Sequence, residues 1–261
     1  MRLFVSLAVT WAVSLSAVVA AEPAADSSAR QYYEVRTYEL GAEGDEAALD
    51  EYLGEALIPA LERQGIGPVG AFAPVEAPAD QRSVVVVIPF DNPAGVARVD
   101  QALAEDKRYQ QAAQSYLQSP AKRPPFARIR SEFLRAFACM PELKVPGEVA
   151  QNEARVYELR IYESATERLG DLKVDMFNNG EVPIFLDSGI RPVFFGQAII
   201  GPNRPNLTYL TVYADDQARQ AAWKAFLAHP DWQTLKTVPK YANTVSKIHK
   251  QVLEAKPYSQ L

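Results

Sequence analysis

Tyr33-Glu34-Val35-Arg36-Thr37-Tyr38-Glu39 recurs as Tyr157-Glu158-Leu159-Arg160-Ile161-Tyr162-Glu163, 124 residues further along the chain. At the same offset Pro59 meets Pro183, Gly65-Ile66 meets Gly189-Ile190, Pro68-Val69 meets Pro192-Val193, and the run Val84 to Ile88 meets Thr208 to Val212. Apolar similarity alone could align two strands. It would not also bring a mid-helix proline and a helix-ending glycine into register, so the chain contains a duplicated domain.

The order of elements follows from periodicity and punctuation. Residues 32–40 alternate and read as a strand. From about Asp45 to Gln64, Leu49, Tyr52, Leu53, Ala56, Leu57, Ala60 and Leu61 form one helical stripe, and Gly65 supplies the left-handed residue that ends it. Val69 to Val75 and Ser83 to Phe90 read as a hairpin, Asp91-Asn92-Pro93 as the cap of a second helix, and Phe126 to Phe137 as a last strand. The second copy gives a strand at Arg155 to Glu163, a helix at Arg168 to Ser188, strands at Val193 to Ile200 and Leu207 to Ala214, and a helix capped by Asp215-Asp216. Its final element, Asn243 to Leu253, is taken as a strand by analogy, although Val245, Ile248 and Val252 also fit a helix. Each copy is therefore β-α-β-β-α-β. Pro59 and Pro183 should kink or restart their helices, because a proline lacks the N–H and clashes with the preceding turn.

Arg2, the uncharged run Leu3 to Ala21 and the small residues that close it describe a cleaved signal peptide over residues 1–21, with an uncleaved anchor as the alternative. The expected organisation continues with repeat 1 over 30–140, a Pro- and Gly-containing linker over 141–152, and repeat 2 over 153–256. The expected location is periplasmic or secreted. With 27 basic and 32 acidic residues, a net charge of −5 and a pI near 5.3, the chain lacks the positive field that nucleic acid or anionic lipid requires. Cys139 is the only cysteine, so no intrachain disulfide forms, and it reads as an apolar residue near a strand end. The sequence has no Cys/His set with metal spacing, no phosphate-binding glycine loop and no Gly-x-Ser-x-Gly elbow. No cofactor and no metal are expected.

The opening motif Tyr157 to Tyr162, the helix proline in Glu181-Val182-Pro183-Ile184 and the segment His229-Pro230-Asp231-Trp232 resemble, in that order, the NIPSNAP family. The second copy matches throughout. The first matches to about residue 92 and then departs, carrying Lys107-Arg108-Tyr109 where the Pro and Trp would stand. The resemblance implies an α+β fold: two tandem ferredoxin-like (βαββαβ) repeats forming an intramolecular dimeric α/β-barrel. It implies a monomeric pseudo-dimer or a homo-oligomer, and it transfers no catalytic residue.

Alternation places Tyr157, Leu159 and Ile161 on one face, expected to cover the helices. Glu158, Arg160 and Tyr162 are on the other, expected to face the opposite sheet. Glu34, Arg36 and Tyr38 repeat the set. On the third strand Tyr209, Thr211 and Tyr213 stand where the first copy is read to have Val85, Val87 and Pro89, so any pocket is expected in the second half. The candidate ligand-binding residues are Glu158, Arg160, Tyr162, Tyr209 and Tyr213, with a small anionic ligand or a protein as partner. His229 is the candidate for proton chemistry, with a helix-cap role as the competing reading. Trp223, Phe226 and Trp232 read as core anchors. The leading functional reading is a non-catalytic binding or interaction protein; the alternative is a cofactor-independent monooxygenase- or isomerase-like enzyme.

Overall fold

The computed structural model describes residues 30–150 and 152–261; the expected signal segment lies outside them. The first repeat runs β1 (Tyr32–Glu39), α1 (Glu46–Glu51), a π-helical turn (Tyr52–Leu57), α2 (Ile58–Arg63), β2 (Gly70–Pro74), β3 (Ser83–Phe90), α3 (Ala94–Glu105), α4 (Lys107–Ala112), α5 (Gln114–Leu117) and β4 (Arg128–Ala136). After α6 (Gly147–Ala150) the second runs β5 (Val156–Glu163), α7 (Glu167–Met176), a π-helical turn (Phe177–Glu181), α8 (Val182–Asp187), β6 (Arg191–Ile200), β7 (Asn206–Tyr213), α9 (Asp216–Ala228), α10 (Pro230–Leu235) and β8 (Lys247–Ala255). The last element is thus a strand. The two prolines do interrupt their helices: each sits at the start of α2 or α8, directly after the π-helical turn. In the second repeat Asn179 and Gly180 leave helical geometry within that turn. Asp215 caps α9 as expected, accepting from the Ala218 N–H at 2.7 Å. Asp91 and Asn92 do not cap α3, whose N-cap is Pro93 without a side-chain bond.

The strands close into one antiparallel barrel in the order β1-β3-β2-β8-β5-β7-β6-β4. Each repeat contributes one ferredoxin-like sheet, and the ladders β2 to β8 and β4 to β6 join them edge to edge. Such closure leaves no free sheet edge. Eight strands leave an interior that side chains can fill. Here Tyr33, Val35, Phe72, Val85, Val87, Leu134, Tyr157, Leu159, Phe194 and Leu253 fill it. Tyr33 meets Phe194 at a ring separation of 4.8 Å, and Phe72 meets Tyr157 at 4.7 Å. Glu132 is a buried polar link between the repeats, accepting from Thr208 at 3.0 Å and Asn206 at 3.2 Å. Burial pushes its carboxyl above the usual range.

Two expectations about faces are corrected. Tyr157 and Leu159 point into the barrel, while Tyr162 lies in the cluster between sheet and helices, together with Glu158 and Arg160. The set does not face the opposite sheet. The reason is that the lumen buries one face of β5 and the helices cover the other, so apolar alternation does not tell inside from outside. The third strand is also shifted. Arg36 pairs with Val86 but Arg160 pairs with Tyr209, so β3 and β7 correspond at an offset of 123 rather than 124. The second hairpin is one residue shorter between Phe195 and Tyr209 than the first between Ala71 and Val86. A one-residue slip exchanges faces. The counterparts of Tyr209, Thr211 and Tyr213 are therefore Val86, Ile88 and Phe90.

Both first helices end alike. Gly65 and Gly189 adopt φ of +71° and +86°, and the following N–H groups of Ile66 and Ile190 each bond back to a helix carbonyl at 2.9 Å. Cys139 lies exposed in the turn after β4, not packed, and only its backbone N–H is engaged, by Asn178. Gly189→Val should cost about 1–2 kcal/mol from the left-handed conformation, lowering Tm by several degrees in a calorimetric scan. Cys139→Ser should leave Tm within a degree or so, since a surface substitution away from special features is close to neutral. Equal shifts would refute both assignments.

Candidate functional site

The residues of β5 that turn away from the barrel meet α7, the second π-helical turn and α9. Glu158 is 1% exposed and is held from three sides: by Arg160 Nη1 at 3.1 Å, by Arg219 at 3.7 Å, and by the indole N–H of Trp223. Arg160 also stacks on the Trp223 ring, with its guanidinium carbon 4.0 Å from the centroid. Its Nε is buried and makes no hydrogen bond. Tyr209 donates to the hydroxyl of Tyr162 at 2.8 Å, and burial raises the pKa of both phenols.

Below these lies a second ion pair that the sequence reading did not single out. Lys173 Nζ bonds Glu181 Oε2 at 2.6 Å, with side chains 4% and 2% exposed. Burial pushes the Glu181 carboxyl upward, and the Lys173 ammonium opposes it. The ammonium lies 4.7 Å from the Phe177 ring, 5.6 Å from Trp232 and 5.7 Å from Tyr162, a setting that favours a cation over aromatic faces. The π-helical turn makes the pair possible, because it carries Glu181 at its end and Pro183 fixes where the following helix resumes.

Glu158, Arg160, Tyr162, Lys173, Glu181 and Arg219 line a cavity of about 840 Å³ between the outer face of the sheet and α9–α10. Trp223, Phe226 and Trp232 form one wall, each ring contacting the next at centroid distances of 5.7 and 4.5 Å. They pack against the core as expected and line the cavity as well. Val245, Ile248 and Lys250 of the β8 side close the opposite wall, and Leu227 and Ile248, 59% and 49% exposed, edge the mouth.

Of the expected site residues, Glu158, Arg160 and Tyr162 line this cavity. Tyr209 stands behind Tyr162 and reaches it only through that hydroxyl. Tyr213 lies apart from the lining, its buried hydroxyl unbonded and its pKa raised by burial. His229 is the N-cap of α10, its Nδ1 accepting from the Asp231 N–H at 3.2 Å. At the matching point of the first repeat Asp106 caps α4 in the same way, accepting from Arg108 and Tyr109. His229 does not line the cavity, and the cap reading accounts for it.

In the first repeat the corresponding space is packed. Glu34 and Arg36 form a two-pronged pair at 2.9 Å, and Tyr116 stacks on Tyr52 at 3.6 Å and packs on Phe126 at 6.1 Å. The positions matching Lys173 and Glu181 are Leu49 and Leu57, both buried in the apolar core. The missed pair therefore had a sequence signal: the leucine stripe of the first helix is broken by two opposite charges in its duplicate.

Comparisons with known proteins agree with this architecture. Residues 157–260, most of the second repeat, match the NIPSNAP family model. Among solved structures, a protein of Fusobacterium nucleatum described provisionally as a monooxygenase is 11% identical, with a TM-score of 0.57 over 87% of this chain and 93% of that one. One of Lactobacillus acidophilus, described in the same terms, is 11% identical, with a TM-score of 0.54 over 87% and 94%. An uncharacterised NIPSNAP-like domain protein of Burkholderia xenovorans is 20% identical over 41% of this chain and 90% of its own, with a TM-score of 0.38. At these identities the likeness concerns the fold. No curated protein matches the chain in sequence.

Breaking a buried pair leaves an uncompensated charge and typically costs 3–5 kcal/mol, whereas replacing both partners by apolar groups is often neutral or stabilising. Lys173→Leu alone should therefore destabilise by roughly that amount. Lys173→Leu/Glu181→Leu, which installs the residues of the first repeat, should unfold in denaturant at or near the parent midpoint. Equal loss in single and double variants would show that the fold needs the pair.

Proposed function

We propose that the second repeat is a binding module for a small, partly apolar anion, held in the cavity between its sheet and α9–α10. One observation carries this reading. In a chain of net charge −5, the cavity gathers Arg160, Lys173, Arg219, Lys224 and Lys250 against only Glu158 and Glu181, beside an aromatic wall. The volume suits a small molecule, and apolar walls with few polar groups are the usual make-up of such sites. Arg160 is the anchor: Glu158 engages only Nη1 of its guanidinium, a planar cation already oriented by Trp223. Arg219 and Lys250 add charge nearer the mouth. The same proposal places the module outside the cytoplasm, with residues 1–21 removed as an export signal; the N-terminal sequence of the protein isolated from a native host tests that part.

A thermal-shift series with aromatic carboxylates tests the binding reading. A ligand at a hundredfold excess over its Kd adds about 2.7 kcal/mol, so bound members should raise Tm by several degrees. Arg160→Ala should lose most of these shifts and Arg36→Ala should keep them. If both variants keep every shift, or Arg36→Ala alone loses them, the anion does not sit on Arg160.

A further inference from the structure

Resting on the binding reading above, the geometry points to a more specific ligand. We infer that the Lys173–Glu181 pair recognises a hydrogen-bond donor, such as a hydroxyl, on the buried end of a molecule whose carboxylate lies toward the mouth. The ligand class is a hydroxylated aromatic or aliphatic carboxylate rather than a simple fatty or aryl acid.

Four observations lead there. The pair is not demanded by the fold, since the duplicate places Leu49 and Leu57 at the same helical positions and buries both. Retaining two opposite charges where two leucines suffice is expensive in desolvation, which marks the pair as serving something other than stability. The pair also stands at the closed end. Lys173 and Glu181 are 4% and 2% exposed, Arg160 and Arg219 are 12% and 18% exposed, and Lys224 and Lys250 are exposed. Cationic charge in excess of carboxylate therefore increases outward, and the carboxylate of a ligand belongs at Arg160 or beyond it. Finally, Lys173 engages only Oε2 of Glu181; among the described residues no hydrogen bond reaches the other carboxylate oxygen, although Glu181 lines the cavity. That oxygen is not sealed off by protein atoms, and an acceptor open to the cavity beside a buried ammonium offers a bond to a donor on the ligand. The aromatic wall between the two ends, Trp223 to Phe226 to Trp232, fits a flat apolar body.

A site built to hydrogen-bond a ligand hydroxyl discriminates strongly against the analogue that lacks it, because its own polar group is then left unpaired. Calorimetric titration of the full protein with naphthoate and with hydroxynaphthoate measures this directly. The parent should bind hydroxynaphthoate at least about tenfold more tightly. In Lys173→Leu/Glu181→Leu the preference should fall to within about twofold or reverse, because the acceptor is gone. Should that variant fold poorly, Lys173→Met/Glu181→Leu keeps the length of the lysine stem and carries the same comparison. A parent that binds both acids equally overturns this inference and leaves the anion reading standing. A parent that binds neither overturns both. A folded double variant that keeps the preference, or that binds neither acid, also overturns it, the first by acquitting the pair and the second by assigning it to cavity shape alone.

Discussion

Closure of the eight-stranded barrel is the constraint from which the rest follows. Once β2 pairs with β8 and β4 with β6, the lumen has room for one set of side chains from each strand, and Tyr33, Phe72, Tyr157 and Phe194 occupy it. The other set, which includes both Glu-Arg-Tyr triplets, must then lie beneath the helices. A guanidinium and a carboxylate placed between a sheet and a helical layer are tolerated only when they are paired and bonded. The helical layer of each repeat is shaped by how it meets that demand.

The two repeats meet it differently. In the first, Arg36 and Glu34 satisfy each other, Ser131 adds a bond to Glu34 at 2.7 Å, Arg36 also donates to Tyr38, and the tyrosines of the π-helical turn, α4 and α5 pack on one another. That half is packed as a structural domain. In the second, the shorter hairpin brings Tyr209 rather than a valine beneath the helices, the turn before Pro183 brings in Glu181, and Trp223 and Trp232 stand apart from the strand β8 instead of filling the space. Duplication thus supplies a stable partner that closes the barrel and frees its twin to carry polar groups at core positions. The C-terminal tail strengthens the arrangement: Lys256 bonds Glu46 and Asp50, and Tyr258 bonds Asp50, so the end of the second repeat is fastened to the first helix of the other.

Much of the fold was legible in the sequence because the evidence for it is periodic and repeated. The strands, the glycine helix ends and the proline breaks each appear twice, and two copies of β-α-β-β-α-β leave few ways to pair. Inside and outside were not legible. Tyr157 and Glu158 alternate on β5, but both faces of this strand are buried, and only the closed barrel says which face sees the lumen. The slip at Tyr209 was hidden for a similar reason, since an apolar run aligned with another apolar run tolerates a shift by one. Glu158, Arg160 and Tyr162 were legible as neighbours because they stand on one face of one strand. Lys173 and Glu181 come from a helix and from the turn that follows it, eight positions apart across a break in helical geometry, and ordinary helical spacing does not bring them together.

The central claim, that the second repeat holds an open ligand cavity where the first is packed shut, is tested most directly by nuclear magnetic resonance of the protein titrated with hydroxynaphthoate. Trp223 and Trp232 both line the cavity, and the indole N–H of Trp223 is fixed on Glu158. Saturable shifts of these two indole resonances, with the ring resonances of Tyr52 and Tyr116 unmoved, are the result the account predicts. Shifts confined to Tyr52 and Tyr116 would contradict it, as would a titration that moves none of the four.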